Sequence, residues 1–368
     1  MNRNVTVVVL AFLCFALVSP HLFAQSDRSV LRARPDYDWS FPTDHGAHPA
    51  YQTEWWYFSG IVSSDGREFG LQFTIFRQRT EQTPETGSDW FTNQVFMGHM
   101  AVSDLRNETH ASAVQIARGH TELGTAPEKM PGTIRVRNWT CSFDEGWRIK
   151  ADDGKLALSL DLKPTRPLLF QGPNGYSVKG PEEGQASMYY SQTRLKTSGT
   201  LTLDGTQHRV SGRTWFDHEF GSSQLSDDQV GWDWISLRLS DGSDLMVYSL
   251  REKDGSVSEQ SSATLRRPDG SVSHIPQEQW SMTPLAHWTS PLTGGRYPVR
   301  WRVQLENPDT ELVVNRRFDA QEMVLPGGLT APYWEGVISA EGQLDDTSVT
   351  GSGFLEMTGY VESLQGAF

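Results

Sequence analysis

Cysteine is nearly absent from this 368-residue chain, which carries Cys14 and Cys141 and no others. Cys14 lies in an N-terminal apolar stretch, so Cys141 has no internal partner and no disulfide framework holds the fold. There is no Gly-x-Ser-x-Gly elbow, which excludes the usual α/β-hydrolase nucleophile. His218-Glu219 is followed by Phe220, Gly221 and Ser222, not by the second histidine of a zinc-protease helix. No glycine loop cradles a phosphate, since Gly351-Ser352-Gly353 runs on to Glu356 where a third glycine is needed. Cys141, beside Trp139 and Phe143, reads as packed rather than nucleophilic. Positive charge is also short. A net charge of −13 argues against nucleic acid or an anionic membrane surface as partner. No nucleotide, flavin, haem or other cofactor is expected.

The one long apolar run is at the start. Arg3 precedes the uncharged stretch Val5 to Val18, which breaks at Pro20, and Leu22-Phe23-Ala24 forms a cleavage site before Gln25. This is the anatomy of a secretory signal over residues 1–24, and the run is short for a membrane span. The alternative is an uncleaved N-terminal anchor. No later segment is apolar enough to cross a bilayer as a helix, so the mature chain is expected to be exported, periplasmic or secreted, without an integral span.

What is abundant is aromatic and alternating. The chain has 13 Trp, 17 Phe and 10 Tyr, enough to build cores without cross-links. Phe69, Leu71, Phe73 and Ile75 fall on one face of a strand, and Gly70, Gln72 and Thr74 on the other. Similar runs recur between Asp-Gly pairs at 65–66, 153–154, 204–205, 241–242, 254–255 and 269–270, which suit tight hairpins. No long amphipathic helical pattern appears. The reading is all-β, as sandwich or barrel. Superposing the turns at Asp65-Gly66 and Asp241-Gly242 aligns Trp56 with Trp232 and Ser64 with Ser240, which suggests a duplicated barrel. The two domains are then 34–221 and 230–368, with the polar stretch Ser222 to Gln229 as the crossing. Two barrels also dispose of the exposed edges of so many strands.

Three segments concentrate ionisable groups among aromatics. In His48 to Phe58, the residues Glu54, Trp56 and Phe58 share a strand face. The Glu54 carboxyl is either held neutral as an acid or answered by an arginine. In Thr214 to Gly221, Trp215, Asp217 and Glu219 point one way and Phe216 and His218 the other. This is an acid with its orienting histidine and a second carboxylate, or a structural salt-bridge knot. In Gly231 to Leu237, Trp232 and Trp234 oppose Asp233, so the Asp is buried and paired or the Trp pair lines a pocket. His99 is a weaker candidate. His45, His48, His99 and His218 have no spacing diagnostic of a metal, and no metal site is assigned.

These segments also carry a resemblance. Glu54-Trp55-Trp56-Tyr57, with Gly60, Gly66 and the strand Phe69 to Thr74, resembles the opening of the AttH family, also described as lipocalin-like and carotenoid 1,2-hydratase-like. His99-Met100-Ala101, Trp215 to Gly221, Gly231-Trp232-Asp233-Trp234, Pro332 to Gly336 and Gly353 to Tyr360 resemble its later signatures. The match spans essentially the whole mature chain. It implies two consecutive lipocalin-like antiparallel β-barrels. It implies a hydrophobic ligand, isoprenoid or polyene-like, because relatives include carotenoid and prenyl-flavonoid hydratases and polyene-folding cyclases. Bacterial members are also described as secreted hydrolases, although no nucleophile with an adjacent base is evident here. A cytoplasmic carotenoid role does not suit an exported chain.

Hydrating an alkene needs an acid kept neutral in a dry pocket, aromatic faces for the cation and a base to steer water. Asp217 is the expected acid, oriented by His218, with Glu54 or Glu219 steering water. Trp55, Trp56, Tyr57, His99, Trp215, Trp232, Asp233 and Trp234 are the expected ligand-binding set. A non-catalytic carrier of a greasy ligand needs the same lining without a poised acid. Edman sequencing of the exported protein is expected to begin near Gln25. Recovery only in the cytoplasm with Met1 intact would refute the export signal.

Overall fold

A computed structural model describes residues 30–80, 92–222, 225–324 and 331–364. The export segment and its cleavage site lie outside the described residues, as do Ser223 and Gln224 of the crossing stretch. Among the described residues there is no α-helix, and the helical turns are the 3-10 segments Thr43–His45, Pro173–Gly175 and Gln277–Gln279. The remaining regular structure is antiparallel β.

The strands form two curled sheets. The first begins, neighbour by neighbour, with β4 (Thr109–Arg118), β3 (Gln94–Asp104), β2 (Arg67–Arg79) and β1 (Thr53–Ser64). It continues through β13 (Thr206–Gly221), β12 (Ala186–Leu203), β9 (Leu156–Pro164) and β8 (Trp147–Asp152). It ends with β7 (Trp139–Phe143), β6 (Gly132–Val136) and β5 (Gly124–Thr125), while β10 (Leu169–Phe170) and β11 (Tyr176–Val178) add to β12. The second sheet runs β17 (Val272–Pro276), β16 (Ser262–Arg266), β15 (Asp244–Glu252), β14 (Gln229–Leu239) and β23 (Thr347–Met357). It closes with β22 (Tyr333–Leu344), β20 (Thr310–Arg316), β19 (Arg296–Leu305) and β18 (Trp280–Thr289), and β21 (Glu322–Met323) pairs with β22. The first curls far enough for β4 to touch β6, giving a nearly closed barrel. The second is a half-barrel, because β17 and β18, adjacent in the chain, do not pair.

Period-two alternation decides what each strand buries. Phe69, Leu71, Phe73 and Ile75 join Trp56, Phe58, Trp139, Trp147 and Phe216 in the first barrel's core. Ile235, Leu237, Val299, Trp301, Val303 and Ile338 do the same in the second. The opposite faces are not left to solvent. Tyr57, Tyr189 and Trp215 from the first sheet pack against Trp234, Met246, Tyr248, Val337 and Phe354 from the second. The two sheets therefore meet back to back, outer face on outer face.

Two devices lock this contact. Asp244 of β15 accepts from Arg194 Nε at 2.6 Å, Arg166 Nη1 at 2.9 Å and Thr193 Oγ1 at 2.7 Å, all from the first sheet or its loops. Gly70 of β2 supplies the other. A Cβ there would stand 2.1 Å from Val337 Cγ2, so the sheets approach through a position that has no side chain.

Trp56 and Trp232 fall in different sheets, yet they are not pleat equivalents. Trp56 faces its barrel interior, whereas Trp232 packs with the seam cluster. The cause is turn length. Asp65 and Gly66, both at positive φ, make a two-residue turn between β1 and β2. Between the last paired residues of β14 and β15, Arg238 and Asp244, five residues intervene, and only Gly242 of them has positive φ. Matching the Asp-Gly pairs thus shifts the register by a residue and flips the face. The interior counterparts are the Glu54–Arg77 and Asp233–Arg251 ion pairs, at 2.8 and 2.7 Å.

Gly70→Val should lower stability by about 1–3 kcal/mol through overpacking at the seam. Adding Val337→Ala should recover part of that loss in thermal melts. Additive losses in the double variant would show that the two positions do not share one contact.

Candidate active site

Above this seam the sheets diverge and enclose a cavity of about 310 Å³. Trp55, Phe76, Val95, Met97 and Ile116 supply apolar walls, and Tyr189, Trp232, Trp234, Tyr248 and Tyr333 the aromatic ones. Glu54, Asp217, Glu219, Glu335 and Glu356 are the carboxylic residues along its lining, and the last four stand on the seam faces. Alternation explains the grouping. On β13, Asp217 and Glu219 follow Trp215 on the outer face, and on β22 and β23, Glu335 and Glu356 are cross-strand partners.

Each carboxyl has a different environment. Asp217 lies between Tyr57 of β1 and Ser191 of β12 in the ladder. It accepts from Tyr189 Oη at 2.7 Å, Ser191 Oγ at 2.5 Å and Trp215 Nε1 at 2.6 Å. Burial pushes its pKa up to about 7 despite these three donors. Glu356 accepts from Trp232 Nε1 at 2.9 Å. Burial, with Asp217 and Glu219 nearby, takes it to about 7 as well. Glu335 accepts from Tyr57 Oη at 2.5 Å and is held well above the usual range, by burial first and by Glu356 second. Glu335 and Glu356 stand opposite each other in the ladder, so the charge of one disfavours ionisation of the other. Glu219 is different, because buried Lys179 lies 2.9 Å from it and stacks over Tyr248. Among the described residues lining the cavity, the arginine is Arg77, already committed to Glu54 at 2.8 Å.

His218 does not line this cavity, and Glu54 borders it while its carboxylate is taken up by groups of the first barrel. Glu54 Oε1 accepts from His48 Nδ1 at 2.8 Å and His218 Nε2 at 2.9 Å, and Oε2 accepts from Arg77 Nε. Burial alone would raise this carboxyl, but Arg77 and His48, with the His218 bond, hold it well below the usual range. It is an ion-paired carboxylate, not a neutral acid. His218 Nδ1 meets Tyr190 Oη at 3.0 Å, and its ring stacks on Trp56. It therefore positions nothing at Asp217, since residues 217 and 218 must alternate across the sheet.

His48, Glu54 and His218 bring three metal-donor atoms within 4.8 Å of one another. Every Glu54 oxygen already has partners and Arg77 supplies the counter-charge, so these residues fit a hydrogen-bonded knot better than a cation site. His45 meets Tyr190 Oη at 2.6 Å in the same knot.

Of the remaining expected residues, Trp55, Tyr57, His99, Trp232 and Trp234 line the cavity. Trp215 stands behind it as a donor to Asp217, and Trp56 is core. Asp233 faces the half-barrel interior, bound to Arg251 at 2.7 Å and Tyr360 Oη at 3.0 Å, away from the cavity. Sequence reading assigned no role to Glu335, Glu356, Tyr189, Tyr248 and Lys179. The signal for the first two was present, since both sit in aromatic strand segments on the faces of Tyr333 and Phe354. Lys179 follows a short strand and gave no periodic signal.

Comparison with known proteins follows this geometry. The profile of the AttH-like family matches residues 32–360. The crystal structure of a Nitrosomonas europaea protein assigned as AttH superposes with a TM-score of 0.81 and 32% identity, covering 90% of this chain and 100% of that one. Kievitone hydratase from Nectria haematococca shares the fold, with a TM-score of 0.70, 16% identity and coverage of 91% and 95%. Dehydratase asqC of Emericella nidulans is 22% identical over 218 residues, or 57% of this chain. That match spans 60% of the dehydratase's own length.

Asp217 titrates higher folded than unfolded, so the native state holds a proton that the unfolded chain has lost. Its contribution to stability is present below the unfolded value of 3.8 and is lost as pH rises to about 7. The stability of Asp217→Asn relative to the natural protein should therefore climb between pH 4 and 7 by up to ~1.4 kcal/mol per unit, then level off. Paired urea melts across pH 4–8 measure this, and a flat difference would refute the raised pKa.

Proposed function

This chain belongs to the AttH-like family, and on that premise we propose that it adds water to, or removes it from, a carbon–carbon bond of a hydrophobic small molecule. The reaction takes place in the cavity between the sheets. One observation carries the reading. Asp217, Glu335 and Glu356 share one apolar, aromatic cavity whose burial brings Asp217 and Glu356 to titrate near neutral pH and Glu335 higher. Carboxylic acids protonated at pH 7 are what acid catalysis requires, and environments that separate their pKa values assign acid and base. The relatives named hydratase and dehydratase belong to the same reaction class.

The Glu335–Glu356 pair is the acid, because burial and the repulsion between the two keep a proton on Glu335 most firmly. Asp217 is the base, because three donors favour its anion. In hydration, the pair gives its proton to one alkene carbon, forming a C–H bond from the π electrons. The cation that remains on the other carbon faces Trp232, Trp234 and Tyr57. Water attacks that carbon and yields a proton to Asp217, and proton return to the glutamate pair restores the site. Dehydration runs the same steps backward. No cofactor enters. This assignment moves Asp217 from acid to base relative to the sequence reading and replaces His218 by Tyr189, Ser191 and Trp215 as the groups that orient it. In the same reading the chain acts outside the cytoplasm on an exported or environmental substrate.

The competing reading is a carrier, which needs the walls but not the protons. Asp217→Asn and Glu356→Gln should each lower turnover about 10²–10⁴-fold while ligand affinity stays within a few fold and melting is not lowered. Turnover is followed by mass spectrometry of the co-purifying molecule in ¹⁸O-labelled water. Undiminished turnover in both variants would remove these residues from the chemistry. A ligand that binds the natural protein tightly and emerges unchanged would make it a carrier.

A further inference from the structure

Besides Glu335, whose Oε2 belongs to the carboxyl pair, two side chains at the cavity keep hydrogen-bonding capacity that the fold does not use. His99 of β3 is 2% exposed, and its Nε2 is buried without a partner in the protein. Gln72 of β2 is 1% exposed; its Nε2 donates to Thr74 Oγ1 at 2.6 Å, and its Oε1 is likewise buried and unpartnered. Thr74 stands directly opposite His99 in the ladder, and Gln72 lies two positions along the same face. The two free atoms thus sit diagonally on adjacent strands, within reach of one small group. Both residues line the cavity. Buried polar atoms are costly unless something pairs with them, so two in one ligand cavity mark where ligand polar atoms belong.

Their chemistry is complementary. Tyr333 Oη lies 2.7 Å from His99 Nδ1. A buried phenol needs an acceptor for its proton, and among the described residues Nδ1 is the one in reach. Nδ1 therefore accepts and Nε2 carries the ring proton. Burial keeps this imidazole neutral, lowering its pKa to about 3, so it offers one N–H and no charge. Gln72 Oε1 offers one acceptor.

We propose that His99 and Gln72 form a head-group subsite for a planar ligand moiety with a carbonyl-type oxygen beside an N–H or O–H, as in a carboxamide or an enolised dicarbonyl. The carbonyl accepts from His99 Nε2–H and the N–H or O–H donates to Gln72 Oε1. The apolar remainder lies against Trp55, Phe76, Met97 and Ile116. Because Tyr333 and Glu335 share one face of β22, a head held by His99 sits beside the carboxyl pair. The inference rests on the cavity being the ligand site and narrows its substrate class: an unfunctionalised hydrocarbon leaves both polar atoms unpaired.

Decanamide, methyl decanoate and 1-decene test it, because they offer both groups, the carbonyl alone, and neither. Dissociation constants come from quenching of the cavity tryptophans. The natural protein should bind the amide about tenfold more tightly than the ester, and the ester about tenfold more tightly than the alkene. Gln72→Leu should erase the amide-over-ester preference. His99→Phe should erase the ester-over-alkene preference, and His99→Gln, which restores an N–H near the same place, should recover part of it. Melting curves identify any variant that fails to fold. Equal affinity of the folded natural protein for all three probes would overturn the subsite and leave the proposed reaction standing. Preferences that survive both Gln72→Leu and His99→Phe would also overturn it. Failure of every probe to bind would overturn the subsite and withdraw the cavity as the ligand site.

Discussion

The seam between the two sheets is the constraint on which the rest depends. A β-sheet normally needs only one buried face, and an antiparallel barrel can leave its outside wet. Here the outer face of β1, β12 and β13 is also covered, by the outer face of β14, β15, β22 and β23. That second burial removes water from the carboxyl groups on those faces. Without it Asp217, Glu335 and Glu356 are ordinary surface acids, fully ionised at neutral pH, and the glutamate pair has no proton to give. The absence of a side chain at Gly70 and the Asp244 arginine cluster are therefore part of the chemistry, although neither reaches the cavity.

Each central strand does two jobs because its side chains alternate. β13 sends Phe216, His218 and Phe220 into the first barrel and Trp215, Asp217 and Glu219 into the seam. β1 divides Glu54, Trp56 and Phe58 from Trp55 and Tyr57 in the same way. The inward set makes a rigid anchor, with Glu54 held by Arg77, His48 and His218 across strands and the N-terminal segment. The outward set makes the reactive surface. Rigidity on one side of a strand fixes the geometry on the other, since the two share a backbone. Two kinds of buried carboxyl result. Glu54, matched by Arg77, is held well below the usual range, while burial raises Asp217, Glu335 and Glu356.

Much of this was legible along the chain. The alternation of Phe69 to Ile75, the Asp-Gly turns and the lack of any helical period were enough for an all-β reading. The opposed faces of Asp217 and His218, and of Trp232 and Asp233, followed from period two alone. The expected pairing of Asp217 as acid with His218 as its orienting histidine fails on that same period, because neighbours in sequence stand on opposite faces of the pleat. The Trp56–Trp232 alignment failed for a related reason: hairpin loops of different length shift a register by one residue, and one residue reverses the face. The second barrel was expected to close, and it stops at a half-barrel because nothing local states whether β17 and β18 will pair.

Sequence by itself determined the class of fold, the strands and the face on which each aromatic and ionisable side chain stands, because these depend on backbone geometry repeated every two residues. Tertiary structure alone decided which charge meets which partner. Tyr57 and Glu335 are 278 residues apart in the chain, and Glu54 and His218 are 164 apart. A carboxyl's protonation depends on water exclusion and on cations within a few ångströms, and only the packing of one sheet on the other sets those distances.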